Sequence, residues 1–226
     1  MALLQIVALL AVSYFIGSIP FGLFIVQLKT GKDIRHVESG RTGGTNAARA
    51  AGFWAGAMTG VADFLKGVVP VWLAYALHAS PWMVVACPLM AILGHNYSIF
   101  LSERDANGRL RLRGGAGGAT CMGGAFGLWP WSLLIIGPVS MAMLFGLGYA
   151  SVATMSMAFT AIIVFAVRAW LGYSPWVYVL YGVIAEILLM WALRPNIKRL
   201  LQGNERLVGW RAKRQQKKAL QQQNHA

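Results

Sequence analysis

Two short stretches of this chain combine glycine with hydroxyl and guanidinium groups. The first is Ser39-Gly40-Arg41-Thr42-Gly43-Gly44-Thr45-Asn46, with Arg49 just after it. Glycine lets successive backbone N–H groups converge on an anion, and Ser39, Thr45, Arg41 and Arg49 add hydroxyls and forked cations that suit phosphate. The string is not a Walker A loop, which ends in G-K-[ST] after a strand. It opens an apolar segment, so a helix N-terminus would face the same anion. A plain connecting turn capped by Thr45 or Asn46 is the alternative. The second stretch, Arg113-Gly114-Gly115-Ala116-Gly117-Gly118-Ala119-Thr120, also runs straight into an apolar segment. Close helix packing accounts for its later glycines but not for Arg113.

Between the two lies Gly94-His95-Asn96-Tyr97, at the end of another apolar run. His95 is a candidate acid, base or phosphate donor, or else a satisfied packing residue, and Asn96 must face protein or water. Asp63 and Lys66 stand three apart and can pair on one helix face, with Lys66 also placed to lend positive field to an anion. Glu186 has no such neighbour in sequence. The string Arg194-Pro195-Asn196-Ile197-Lys198-Arg199 closes the last apolar run; it supplies an amide, Asn196, and cations, or is simply a positive flank. No H-x4-D pair exists, since His36 is followed at that distance by Arg41 and His95 by Phe100. Nor does a Ser-His-Asp order or a metal-ligand cluster replace it, so neither metal nor cofactor is expected.

These residues must be positioned by a membrane frame. Apolar side chains make up 57% of the 226 residues and charged ones only 12%, while the net charge is +13. A soluble nucleic-acid binder would share the charge but not apolar runs long enough to cross about 30 Å of hydrocarbon. Cys87 and Cys121 are too few for a disulfide framework. Seven spans are expected: residues 3–28, 52–77 and 82–101, three between 117 and 168 with turns near 129–131 and 148–151, and 176–193. The fold is thus an all-α polytopic membrane domain over residues 1–200, with a basic cytoplasmic tail at 201–226 near anionic headgroups.

Orientation follows from the cations. Lys29, Lys32 and Arg35 follow the first span instead of preceding it, unlike a cleaved signal peptide. Eighteen of the twenty Lys and Arg fall in two loops and the tail on one expected side; Lys66 and Arg168 are the exceptions. The N-terminus is therefore expected outside and the C-terminus inside. Asn107-Gly108, followed by alternating Arg and Leu, predicts a short hairpin in the second inner loop.

Taken in order, these strings resemble bacterial membrane acyltransferases that use acyl phosphate to acylate glycerol 3-phosphate. The resemblance covers most of the chain and also rests on Gly17-Ser18-Ile19-Pro20-Phe21-Gly22, Asp63-Phe64-Leu65-Lys66-Gly67, Gly203 and Glu205. It implies a seven-span enzyme of the bacterial inner membrane whose site opens to the cytoplasm, acting on acyl phosphate and glycerol 3-phosphate among membrane lipids. Ser39, Arg49, His95 and Asn196 would be catalytic. Arg41, Gly43, Thr45, Asn46, Lys66, Asn96, Arg113, Gly114, Gly115, Gly117 and Thr120 would bind substrate, the glycines around the acyl phosphate. The chain departs from the pattern at Arg41 and Gly44, at Ala116 where a basic residue is usual, and at Leu193 where a histidine is usual. Arg41 is expected to replace the charge missing at Ala116. A transporter or lipid-phosphate binder, and a family member with weakened activity, are the competing readings; oligomeric state has no signal here.

Overall fold

A computed structural model describes residues 2–223; the tail's last three residues lie outside the described part. The first apolar run forms two helices, α1 (Leu3–Ser18) and α2 (Phe21–Thr30), broken at Ile19-Pro20. Proline has no N–H and disfavours helix in the residue before it, so the break falls where the sequence puts it. After a short helical turn at Ile34–His36 come α3 (Gly44–Ala51), α4 (Phe53–Ala76) and α5 (Pro81–Asn96). Strands β1 (Ser98–Arg104) and β2 (Leu110–Arg113) follow, then α6 (Gly118–Leu128), α7 (Leu133–Leu147), α8 (Ala150–Trp170), α9 (Val177–Leu201) and α10 (Gly209–Gln223).

Five segments are long and apolar enough to cross a bilayer: Leu3–Thr30, Phe53–Ala76, Pro130–Leu147, Ala150–Trp170 and Val177–Leu201. The expected third and fourth spans are shorter. Helix α5 has 16 residues, and α6, with 11 residues, is only about 16 Å long at 1.5 Å per residue. Large apolar side chains such as Trp54, Trp72, Phe159 and Trp191 face outward, as lipid contact requires. Inside, Val71, Ile92, Phe165, Tyr181 and Leu189 are fully buried in one core. Both cysteines are free and buried there.

Small residues let the inner helices touch backbone to backbone. A Cβ on Gly67 of α4 would lie 2.0 Å from the Thr120 carbonyl oxygen, and one on Gly123 of α6 only 1.9 Å from that of Phe64. This is the close packing expected of the glycines within the span. Pro195 interrupts α9 from within. The Trp191 carbonyl, which proline leaves without a helical donor, accepts from Arg194 Nε at 2.9 Å.

One expectation needs correction. The third span does not continue to residue 101, because after Asn96 the chain becomes β1, so the fold is all-α only outside this hairpin. The expected hairpin explains why: β1 and β2 pair antiparallel with Ser102 opposite Leu112 and Arg104 opposite Leu110. Asp105 Oδ1 accepts from the Asn107 N–H at 2.9 Å and the Arg109 N–H at 3.0 Å, and Gly108 takes a positive φ of 73°. The segment after α9 folds against the bundle. It turns back on the α7–α8 corner, with the Val208 N–H donating to Gly148 O at 2.8 Å and Trp210 Nε1 to Phe145 O at 3.1 Å.

Candidate active site

The first glycine loop is organised by Asn46. Its buried amide donates to three carbonyls, Arg41 at 2.8 Å, Val37 at 3.0 Å and Ile34 at 3.3 Å. Asn46 therefore shapes the loop instead of offering donors to substrate. The plain capped turn does not occur: α3 begins after Gly43 without any side-chain cap. A Cβ at Gly43 would meet nothing within 4 Å, so that backbone stays open. Arg35 straps the loop's entry to the hairpin, pairing with Asp33 at 2.6 Å and Glu103 at 2.7 Å. The Arg35 guanidinium beside Asp33 holds that carboxyl below its usual range.

Arg113 joins the same cluster. Its guanidinium pairs with Glu103 at 2.8 Å on the hairpin, outside the polar cavity described below. That pair is 45% and 32% exposed on the two sides, so it ties Arg113 to the hairpin at the rim of the site. The two glycine loops meet directly, the Thr42 N–H donating to Gly114 O at 3.4 Å.

Behind them sits a buried trio from two helices, Asp63 and Lys66 of α4 and His95 of α5. Lys66 Nζ contacts Asp63 Oδ1 at 2.8 Å, His95 Nδ1 at 3.0 Å and the Ile19 carbonyl at 2.8 Å. The last partner is available because the Ile19-Pro20 break releases that carbonyl from its helix. These contacts hold the ammonium between α4, α5 and the helix break, where Lys66 positions His95. Because Lys66 donates to Nδ1, the neutral imidazole carries its proton on Nε2. Gly115 packs on that side: a Cβ there would come within 2.0 Å of Nε2, and one on Gly114 within 2.1 Å of the His95 carbonyl oxygen. These two glycines admit the His95 ring and backbone, a role that composition alone did not separate from phosphate cradling.

A cavity of about 460 Å³ gathers the remaining residues. Ser39, Arg41, Gly43, Thr45, Asn46 and Arg49 line it, as do His95, Gly117 and Asn196. All four departures from the pattern, Arg41, Gly44, Ala116 and Leu193, line it. Asn96, Arg113, Gly114 and Gly115 line a second opening of about 540 Å³, and Ser39 and Arg41 border both spaces. Lys66 and Thr120 line neither. Thr120 is wholly buried against α4, and the Asn96 amide donates to Leu188 O at 3.3 Å.

Charge in the cavity is mostly positive. Arg41 donates to the Ala192 carbonyl of α9, and burial lowers its pKa, with Arg199 adding to the effect and Glu205 opposing it. Burial also lowers that of Arg49. Glu205 binds Asn196 Nδ2 at 2.7 Å and Arg199 Nε at 3.2 Å, leaving Asn196 Oδ1 buried without a partner among the described residues. The sequence reading missed Ser151 and Thr154 of α8, and Arg199 and Arg206, all of which line the cavity. The spacing of Ser151 and Thr154 on one helix face was the available signal. Glu186, the other unassigned carboxylate, has its buried Oε2 unpartnered among the described residues.

The family model described as glycerol-3-phosphate acyltransferase matches residues 7–203. A glycerol-3-phosphate acyltransferase of Rubrobacter xylanophilus is 37% identical over 209 residues, covering 91% of this chain and 96% of its own. Glycerol-3-phosphate acyltransferase 2 of Moorella thermoacetica is 37% identical over 203 residues, covering 90% and 97%. The crystal structure of PlsY, an integral membrane glycerol 3-phosphate acyltransferase, in its glycerol 3-phosphate form superposes with a TM-score of 0.78 at 32% identity, covering 91% of this chain and 96% of PlsY. Its lysophosphatidic acid form gives 0.75 at 30% identity with the same coverage. On likeness that runs nearly end to end in both sequence and backbone, this chain belongs to the glycerol-3-phosphate acyltransferase family.

Proposed function

We propose that this chain is a membrane acyltransferase that moves a fatty acyl group from acyl phosphate to the 1-hydroxyl of glycerol 3-phosphate, releasing phosphate and lysophosphatidate. The observation that carries the reading is a cation-rich polar cavity that runs into an apolar groove of about 960 Å³, the two sharing Thr45, Arg49 and Arg206. Phe53, Leu144, Phe145, Leu207 and Val208 line the groove and suit an acyl chain. Phosphate is a good leaving group, so the enzyme needs no covalent intermediate. It needs the hydroxyl beside the acyl carbon and donors where the oxyanion develops. Arg41, Arg49, Ser39 and Thr45 hold phosphate. His95 Nε2–H stabilises developing negative charge and Asn196 Oδ1 orients glycerol 3-phosphate by accepting from its other hydroxyl; the 1-hydroxyl oxygen bonds the acyl carbon, a substrate phosphate oxygen takes its proton, and the acyl carbon–phosphate oxygen bond breaks to release phosphate. Gly117 lets the second glycine loop approach the acyl phosphate. No metal takes part.

With purified protein in lipid, acyl phosphate and glycerol 3-phosphate are expected to yield phosphate and lysophosphatidate, while acyl-CoA supports no turnover. Equal rates with acyl-CoA would reject the donor assignment, and binding without turnover would leave a lipid-phosphate binder.

The same reading places the chain in the bacterial inner membrane with its N-terminus outside and the site facing the cytoplasm, crossing seven times with α5 and α6 as short spans. Residues 1–200 form the catalytic domain and 201–226 a basic cytoplasmic segment. Support comes from the eighteen one-sided cations. Cysteines introduced at Ser102 and near the C-terminus should be shielded from an impermeant reagent in intact cells; labelling of both from outside would invert the topology.

A further inference from the structure

The polar cavity holds four guanidinium groups, from Arg41, Arg49, Arg199 and Arg206. Arg199 is bound by Glu205, whose side chain is only 4% exposed. That leaves Arg41 and Arg49 to face two substrate phosphates, which together carry roughly three to four negative charges near pH 7. Arg206 stands where the polar cavity opens into the apolar groove, lining both, as does Arg49. Among the described residues its one hydrogen bond runs from Nη1 to Glu38 Oε2 at 2.9 Å. Both side chains of that pair are 42–50% exposed, and ion pairs so exposed are weakly held. A phosphate entering the cavity can therefore take the guanidinium over. Glu38 and Arg206 both lie close enough to Arg49 to act on its charge. The family match ends at residue 203, so nothing in it assigns a role to Arg206.

We propose that Arg206 is a third phosphate-binding cation, held ready by Glu38 and transferred to the phosphate of glycerol 3-phosphate alongside Arg49. This rests on the acyltransferase reading above. It assigns the segment after α9 to the substrate site, where its docking on the α7–α8 corner keeps Arg206 in reach.

The test is steady-state kinetics on full-length protein. Arg206→Ala should raise KM for glycerol 3-phosphate about tenfold to a hundredfold, the loss typical of one hydrogen bond between charged groups, and leave KM for acyl phosphate within about twofold. Arg206→Lys should fall between. Glu38→Gln is the discriminating variant: it frees Arg206, so KM for glycerol 3-phosphate should equal or fall below that of the unaltered protein. If Arg206 served only to pair with Glu38, both variants would show the same loss, and the proposal would be wrong. Unchanged KM in Arg206→Ala, or a rise for acyl phosphate alone, would also overturn it. Should Arg206→Ala not fold, Arg206→Gln carries the same expectation. Calorimetric titration with glycerol 3-phosphate alone separates this from the functional reading. Absent turnover with Arg206-dependent binding would sink the acyltransferase and keep the anion contact, whereas equal affinity in Arg206→Ala would do the reverse.

Discussion

Lys66→Met is expected to destabilise the protein by about 3–5 kcal/mol, the usual cost of stranding one partner of a buried ion pair. Asp63 and Lys66 are each only 3% exposed and lie 2.8 Å apart, so removing the ammonium leaves a largely buried carboxylate without its counter-charge. The effect should appear as a large drop in melting temperature in detergent. The double variant Asp63→Leu with Lys66→Met removes both charges and should recover most of that stability, because an apolar replacement of a buried pair is often neutral. It should not recover activity, since His95 Nδ1 loses the donor that fixes its tautomer. A double variant with unaltered kcat would show that the trio serves packing only.

The second large effect concerns Arg41 and Arg49. Each should cost one to two powers of ten in kcat/KM when changed to Ala, given about 1.5–3 kcal/mol for a hydrogen bond to a charged group and about 1.4 kcal/mol per tenfold. Arg41 lines the same cavity as Ala116, which is the geometry required if it replaces the basic residue missing there. Adding Ala116→Lys to Arg41→Ala should then restore part of the lost rate. An Arg41→Ala protein with unchanged kinetics would remove that compensation and leave Ala116 as the mark of a weakened or specialised enzyme.

Much of the frame was legible because a bilayer forces continuous apolar runs, and those runs appear as helices in the expected order. Asn107-Gly108 announced the hairpin through turn chemistry, and Asp63 with Lys66 announced their pair through spacing on one helix. What sequence could not show is competition for donors. Lys66 was expected at substrate, yet its other two partners come from α5 and from a carbonyl at a helix break, neither periodic with it. Arg113 is held by Glu103, and the Asn46 amide by the loop it closes. Ser151 and Thr154 were hidden among ordinary hydroxyls, because helical serines and threonines usually bond back to their own turn. Arg206 went unassigned because a basic residue after a last span is normally just a stop signal.

Pro195 leaves α9 one rung short. Without its N–H the helix lacks a rung between Trp191 and residue 195, and Arg194 has filled the vacancy with a side chain stacked 3.6 Å over the Trp191 ring. Beyond that missing rung lie Asn196 and Arg199, both bonded to Glu205; just before it lies the Ala192 carbonyl that anchors Arg41. Any pivot of the last turns of α9 at this rung would carry Asn196 and Arg199 toward or away from Arg41 together.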